Sequence, residues 1–85
     1  MRETIESFCS ANDINCLFAD GFDDAIIGLG SCFNSYKVVY DKKKVIDILC
    51  KDMNYEEAIE YFEFNIVGSY VGDETPVFLE DLDIL

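Results

Sequence analysis

The chain has 85 residues, of which 18 are Asp or Glu, six are Lys or Arg and none is His, so its formal net charge is −12. This excess of negative charge repels the phosphates of nucleic acids and of anionic membranes, and it favours a basic protein surface as the partner. Because 51% of the residues are hydrophobic and 14% are aromatic, the composition indicates a folded domain and excludes an acidic disordered tail. We therefore expect no direct nucleic-acid binding and no membrane association.

The length allows one hydrophobic core, and we expect a single domain over residues 1–85. A core of this size gives modest stability, which leaves a homo-oligomer open. No stretch resembles a signal peptide or reaches the roughly 18 apolar residues that a membrane helix needs, so a cytoplasmic protein is predicted. The four cysteines form no C-x-x-C pair and are interpreted as reduced packing residues.

The first predicted element is a short helix over residues 3–11, where apolar side chains recur at helical spacing behind early acidic residues. Its apolar positions are Ile5, Phe8 and Cys9. The Asp20-Gly21 pair then predicts a turn that leads into the first strand.

Two strands are predicted next, over residues 24–30 and 36–40, and they should pair as an antiparallel hairpin. Strict alternation along the first strand places Ala25, Ile27 and Leu29 on one face and Ile26, Gly28 and Gly30 on the other. The two glycines are expected to admit a closely packed neighbour.

Two helices follow the hairpin. Asp41 is the expected N-cap of a helix over about residues 42–52, and Asn54 with Glu57 indicates a capping box at the start of the next helix. That helix is expected to end at Gly68 or Gly72. Its predicted apolar stripe consists of Tyr55, Ala58, Ile59, Phe62 and Ile66, and its acidic face of Glu56, Glu57, Glu60 and Glu63.

The last predicted element is a short third strand over residues 77–79, and residues 81–85 are expected to form a frayed acidic tail. The order of elements predicts an α+β fold. We expect a small three-stranded, antiparallel-type sheet covered on one face by two helices, with a short extra helix at the N-terminus.

Three pieces of the sequence stand out when they are taken together. They are Asp20-Gly21-Phe22-Asp23-Asp24-Ala25-Ile26-Ile27-Gly28, Val38-Val39-Tyr40-Asp41, and Tyr55-Glu56-Glu57-Ala58 with residues 60–68, Val71-Gly72 and Thr75-Pro76. In these pieces the chain resembles a family of small proteins encoded by tailed phages and prophages. The resemblance covers about residues 19–80 and leaves residues 1–18 as an N-terminal extension. It implies a phage or prophage origin and a one-domain protein in the host cell, and it carries no catalytic or binding residues with it.

The turn around Gly21 holds the candidates for a ligand or cation site. Asp20, Asp23 and Asp24 offer carboxylate oxygens, which Ca²⁺ and Mg²⁺ prefer. Their spacing matches no EF-hand loop, so the favoured interpretation is a structural turn, and no metal or other cofactor is predicted. If Asn65 is buried, we expect its amide to tie the helix to this turn.

The chain carries few groups suited to catalysis. It has no His to act as a general base, its cysteines lack a His partner, and it contains no G-x-S-x-G, P-loop or dinucleotide-binding motif. The sequence therefore favours a protein that is not an enzyme.

Two functional hypotheses follow. In the first, Glu56, Glu57, Glu60 and Glu63 bind a basic host protein, such as a nucleic-acid enzyme or a defence component, and modulate or inhibit it. In the alternative, an oligomer sequesters a small ligand or nucleotide in a pocket around residues 20–24 and 68–72.

Overall fold

The computed structural model describes residues 1–33, 35–67, 72, 74–80 and 82. Its helices are α1 (Arg2–Ala11), α2 (Lys42–Leu49) and α3 (Tyr55–Tyr61), and its strands are β1 (Ile26–Cys32), β2 (Ser35–Asp41) and β3 (Val77–Leu79). A 3-10 turn, Asp23–Ala25, precedes β1, and a π-helical segment, Phe62–Val67, continues α3. The predicted α+β class is confirmed. The predicted helix end at Gly68 lies outside the described residues, as does most of the tail.

β1 and β2 form the predicted antiparallel hairpin, but a β-bulge changes which side chains of β1 face the core. Ile26 pairs with Tyr40 and Gly28 pairs with Val39, so Ile27 is an extra residue in β1. Ile26 is consequently buried, whereas Ile27 is 43% exposed. The predicted strict alternation is wrong because the extra residue shifts the pattern by one position.

Only one of the two strand glycines has a close neighbour. A Cβ atom at Gly30 would lie 3.3 Å from Cγ2 of Val39 on the adjacent strand, whereas a Cβ at Gly28 would meet nothing within 4 Å. The expectation of close packing therefore holds for Gly30 and is wrong for Gly28.

β3 lies beside β2 and runs parallel to it, so the sheet is mixed, with the order β1-β2-β3. The expected antiparallel-type sheet is therefore wrong for this pair. The reason lies in the connection, because a parallel pair needs a crossover of a dozen or more residues. Residues 42–76, which include α2 and α3, supply that crossover.

One hydrophobic core joins a single face of the sheet to all three helices. Val38 and Tyr40 of β2 are fully buried at its centre. The helical residues buried in the same core are Ile5 and Cys9 of α1, Val45 and Ile46 of α2, and Ala58 of α3, together with Phe62 of the π-helical segment. The helical layer was expected to contain two helices, and α1 packs against the same core as a third.

Side-chain caps begin α2 and α3 where the sequence predicts them. The Oδ1 atom of Asp41 accepts a hydrogen bond from the Lys43 N–H at 3.1 Å. At α3 the Oδ1 atom of Asn54 accepts from the Glu57 N–H at 2.8 Å, and Oε1 of Glu57 accepts in return from the Asn54 N–H at 3.5 Å. The predicted capping box is confirmed.

The predicted apolar stripe of α3 is correct except at its first position. Ala58 and Phe62 are buried and Ile59 and Ile66 are half-buried, but Tyr55 is 64% exposed. Tyr55 occupies the first position of α3, directly after the cap, and its side chain lies at an open cavity beside α2. Within the described part of the chain, no helix has the length and apolar character needed to cross a membrane.

Substitution of Asn54 by Ala should lower the free energy of unfolding by about 1 kcal/mol, because it removes the acceptor for the Glu57 N–H. Asn54→Ser is the matched control, since a serine hydroxyl also caps a helix, and it should stay within about 0.5 kcal/mol of the wild type. Urea unfolding monitored by circular dichroism measures both. Equal losses for the two variants would contradict a stabilising role of this cap.

Candidate functional site

The four glutamates predicted as an acidic face are all exposed. Glu56, Glu57 and Glu60 lie on α3, and Glu63 lies on the π-helical segment. Ion pairs among the described residues are formed by Arg2 and by Lys42, and neither cation reaches these four carboxylates. Their negative charge is therefore available to a partner.

Two of these glutamates share an open groove with aromatic side chains. We name it the α3 surface, and define it as Met53, Glu57, Glu60, Tyr61, Phe64 and Asn65, which line a cavity of about 320 Å³. Phe64 is 80% exposed and Tyr61 is 43% exposed. The surface thus combines carboxylates with aromatic rings that water contacts directly.

The other two glutamates, Glu56 and Glu63, do not line this groove. Glu63 lines a neighbouring cavity with Lys42, Phe62 and Glu80, and Glu56 lies one turn before Glu60 on the same helix. The structure therefore places Glu57 and Glu60 at the aromatic groove, Glu63 at a separate cavity, and Glu56 elsewhere on α3. Glu57 also belongs to the capping box, so its carboxylate has a structural role as well.

The π-helical segment determines where Phe64 and Asn65 lie. A π-helix makes i→i+5 hydrogen bonds and so turns less per residue than an α-helix, which rotates the side chains after Phe62 relative to a continuous α-helix. Phe62 stays in the core, with its ring centroid 5.2 Å from that of Phe78. Phe64 and Asn65 are exposed two and three residues later. Such segments are rare and occur frequently at functional sites.

The Asp20–Asp24 turn holds a cation that belongs to the chain itself. The Nη1 atom of Arg2 lies 3.1 Å from Oδ1 of Asp23 and 3.8 Å from Oδ1 of Asp20, and its guanidinium lies 4.3 Å from the centre of the Phe18 ring. The hydrogen bond to Asp23 is the main cause that raises the pKa of Arg2 above its usual value. Asp24 takes no part in this contact. Within the described residues, no group of three or more side chains is arranged to hold a metal ion.

Asp20 and Asn65 line one cavity. The cavity has a volume of about 310 Å³, and Phe18, Phe22 and Phe78 supply aromatic walls. Asn65 is exposed, so the condition under which it was expected to tie the helix to the turn is not met. No hydrogen bond between Asn65 and residues 20–24 is present in the described part of the structure.

A buried tyrosine hydroxyl holds the segment that forms one wall of this cavity. The Ala19 N–H donates to the Tyr40 hydroxyl oxygen at 2.7 Å, which joins residues 17–20 to the centre of the sheet. Burial raises the pKa of Tyr40 above its usual value of about 10, while the hydrogen bond from Ala19 opposes that shift. The phenol therefore stays protonated over a wider pH range in the folded state.

Sequence reasoning missed several residues of these sites. It did not find the contact of Arg2 with Asp20 and Asp23, because Arg2 is more than 17 positions away from both aspartates in the chain and lies on a separate element. It also missed Phe64 as an exposed ring, although its spacing of four residues after Glu60 is a signal that both share one helix face.

Substitution of Tyr40 by Phe should lower the free energy of unfolding by about 1–2 kcal/mol at pH 7, because the Ala19 N–H loses its acceptor. The raised pKa adds a pH dependence. Above pH 10 the unfolded state binds fewer protons than the folded state, so the wild type loses stability as pH rises from 10 toward the folded pKa of Tyr40.

Tyr40→Phe should therefore lose less stability between about pH 9 and pH 11 than the wild type does. Urea unfolding at several pH values measures this, and Tyr55→Phe, at an exposed position, is the control that should follow the wild type. Parallel stability curves for Tyr40→Phe and the wild type would exclude Tyr40 as the group responsible.

Comparison with known proteins leaves this geometry as the basis for any functional assignment. The chain matches no protein-family model, no curated protein and no solved structure.

Proposed function

We propose that the chain is a small, non-catalytic interaction protein that binds a basic surface of a host protein through the α3 surface and the adjoining glutamates. The observation that carries this proposal is the groove in which Glu57 and Glu60 adjoin exposed Tyr61 and Phe64. Carboxylates next to aromatic rings match the chemistry of arginine, whose guanidinium pairs with carboxylates and stacks on rings.

The charge of the whole molecule supports the same kind of partner. A net charge of −12 attracts a basic surface over several ångströms and accelerates association, and salt weakens this attraction. The exposed rings add a short-range contribution, because aromatic side chains are enriched among the residues that dominate binding energy. Attraction at long range and specificity at contact are thus supplied by different residues of one surface.

The identity of the partner belongs to the same proposal. A host protein that normally binds nucleic acid, such as a nucleic-acid enzyme or a defence component, presents Lys and Arg side chains to phosphates. The α3 surface would bind these Lys and Arg side chains in place of the phosphates and so inhibit or modulate the host protein. The phage or prophage origin and the cytoplasmic location that complete this proposal rest on the sequence resemblance and on composition.

Charge reversal at Glu60 of the α3 surface and at the two other glutamates, Glu56 and Glu63, tests the proposal. The variant Glu56→Lys, Glu60→Lys, Glu63→Lys leaves the capping box intact, because it keeps Glu57. It should lower affinity for the partner at least about 100-fold, since it replaces attraction by repulsion. Phe64→Ala should lower affinity about tenfold without loss of stability, because the ring is 80% exposed.

The measurement is capture from nuclease-treated host lysate on immobilised protein, with elution across a salt gradient and identification by mass spectrometry. The matched control is Glu3→Lys, Asp24→Lys, Asp47→Lys, which changes the net charge equally at exposed positions away from the α3 surface. A basic protein retained by the wild type and this control, and lost by both α3-surface variants, supports the proposal. Equal loss with the control would show that net charge alone causes binding.

A second candidate function is supported by the cavity that Asp20 and Asn65 share. Its volume of about 310 Å³ and its aromatic walls suit one flat ring system, with polar groups at the edge to orient it. It includes Asp20 and Phe22 from the segment 20–24 that the small-ligand hypothesis names, whereas residues 68–71 of its second segment lie outside the described residues. An oligomer would enclose it further, and the open sheet face with exposed Val77 and Leu79 is the surface available to a second copy.

Thermal unfolding in the presence of nucleosides and nucleotides tests this second candidate. A ligand present at 100 times its Kd should stabilise the protein by about 2.7 kcal/mol and raise Tm accordingly. Asp20→Asn should remove the shift, whereas Glu56→Lys, Glu60→Lys, Glu63→Lys should retain it. A panel without any shift would exclude this class of ligand.

A further inference from the structure

We propose that Cys9 and Cys16 form an intramolecular disulfide, which makes this pair an oxidative modification site in the N-terminal part of the fold. Their Sγ atoms lie 3.0 Å apart, and both thiols are free. The S–S distance in a disulfide is about 2.0 Å, so the two sulfurs need to approach by only about 1 Å.

The backbone after α1 creates this contact. Asp13 adopts a left-handed conformation with φ 54°, which turns the chain back toward the helix. The Ile14 N–H then donates to the carbonyl oxygen of Cys9 at 2.8 Å. Residues 14–16 therefore run beside the end of α1, and the sulfur contact is supported by main-chain hydrogen bonds as well as by side-chain packing.

The two thiols differ in access. Cys9 is buried in the core, whereas Cys16 is half-buried at its edge, so an oxidant reaches Cys16 first. The remaining cysteines, Cys32 and Cys50, have no sulfur contact in the described structure. A disulfide within the folded chain is therefore expected at Cys9 and Cys16 alone.

The environment of Cys16 makes its oxidation slow at neutral pH. Burial, the neighbouring Cys9 thiol and the Glu6 carboxylate together raise the pKa of the Cys16 thiol to about 11, and Arg2 opposes this effect. Because the thiolate is the nucleophile in disulfide exchange, only a small fraction of the protein reacts at any moment. The pair is thus expected to respond to sustained oxidising conditions.

The oxidant we assign by chemical class is a small disulfide such as oxidised glutathione. The Cys16 thiolate attacks one sulfur of that disulfide, the glutathione S–S bond breaks, and one glutathione thiolate leaves. The Cys9 thiolate then attacks the Cys16 sulfur, which forms the Cys9–Cys16 bond and releases the second glutathione thiolate. The two cysteines are oxidised by two electrons, one glutathione disulfide is reduced to two thiols, and the two cysteine protons pass to them.

The bond would link the end of α1 to the segment that contains Ala19, whose N–H donates to Tyr40. Both cysteines lie within residues 1–18, the part of the chain outside the phage-protein resemblance. A cross-link restricts the unfolded chain, so oxidation should raise the thermal stability of the whole domain. This inference is independent of the α3 surface.

The test uses the variant Cys32→Ser, Cys50→Ser, which retains only the proposed pair. The protein is incubated with oxidised glutathione at pH 8.5, quenched with acid and studied by mass spectrometry with peptide mapping. We expect the loss of two hydrogens per chain, a Cys9–Cys16 cross-link, and a Tm about 5–10 °C higher by circular dichroism. Dithiothreitol should reverse both changes.

Cys16→Ser in the same background is the control, because residue 16 is not buried and the substitution should not prevent folding. It should show no rise in Tm after the same treatment. Stable glutathione adducts on Cys16 without a cross-link would overturn the proposal. An unmodified dithiol after prolonged incubation would overturn it as well. A cross-link that leaves Tm unchanged or lower would confirm the disulfide and contradict its stabilising effect.

Discussion

The structure depends most on the burial of Tyr40. Its side chain is fully buried, it pairs with Ile26 across the hairpin, and its ring lies 5.5 Å from that of Phe78 on β3. Its hydroxyl group, which is the polar group of this side chain, accepts a hydrogen bond from the Ala19 N–H. One residue thus joins both neighbouring strands and the segment after α1, which is why a domain of this size can hold a three-stranded sheet and three helices on one core.

The distribution of the few cations explains how the acidic surface arises. Arg2 is used by Asp20, Asp23 and Glu6, and Lys42 is used by Glu80 while its ammonium also lies 5.6 Å from the Phe62 ring. These contacts hold α1 to the turn before β1 and the start of α2 to the end of β3. The ion pairs of the described residues thus involve other carboxylates, and in this part of the chain no cation pairs with the glutamates of α3 and of the π-helical segment, which face water or a partner.

The proposed binding surface and the proposed disulfide lie on separate elements. The α3 surface is formed by the second half of the chain. Cys9 and Cys16 lie in α1 and in the segment after it, and both pack in or against the hydrophobic core. Oxidation would therefore change the stability of the domain and leave the charge and the exposed rings of α3 as they are. A stable scaffold that presents a few rigid side chains is the arrangement in which binding costs the least conformational entropy.

The sequence by itself determined the local features of this protein: the caps at Asp41 and Asn54, the hairpin, the short third strand and the exposure of the four glutamates. These follow from hydrogen bonds and periodicities within a few residues. The tertiary structure alone decided the parallel pairing of β3, the bulge at Ile27, the contact of Arg2 with the aspartates and the approach of the Cys9 and Cys16 sulfurs. Each of these features depends on where distant segments of the chain meet. The direction of the crossover and the packing of one shared core determine those meeting points, and a local sequence pattern contains neither.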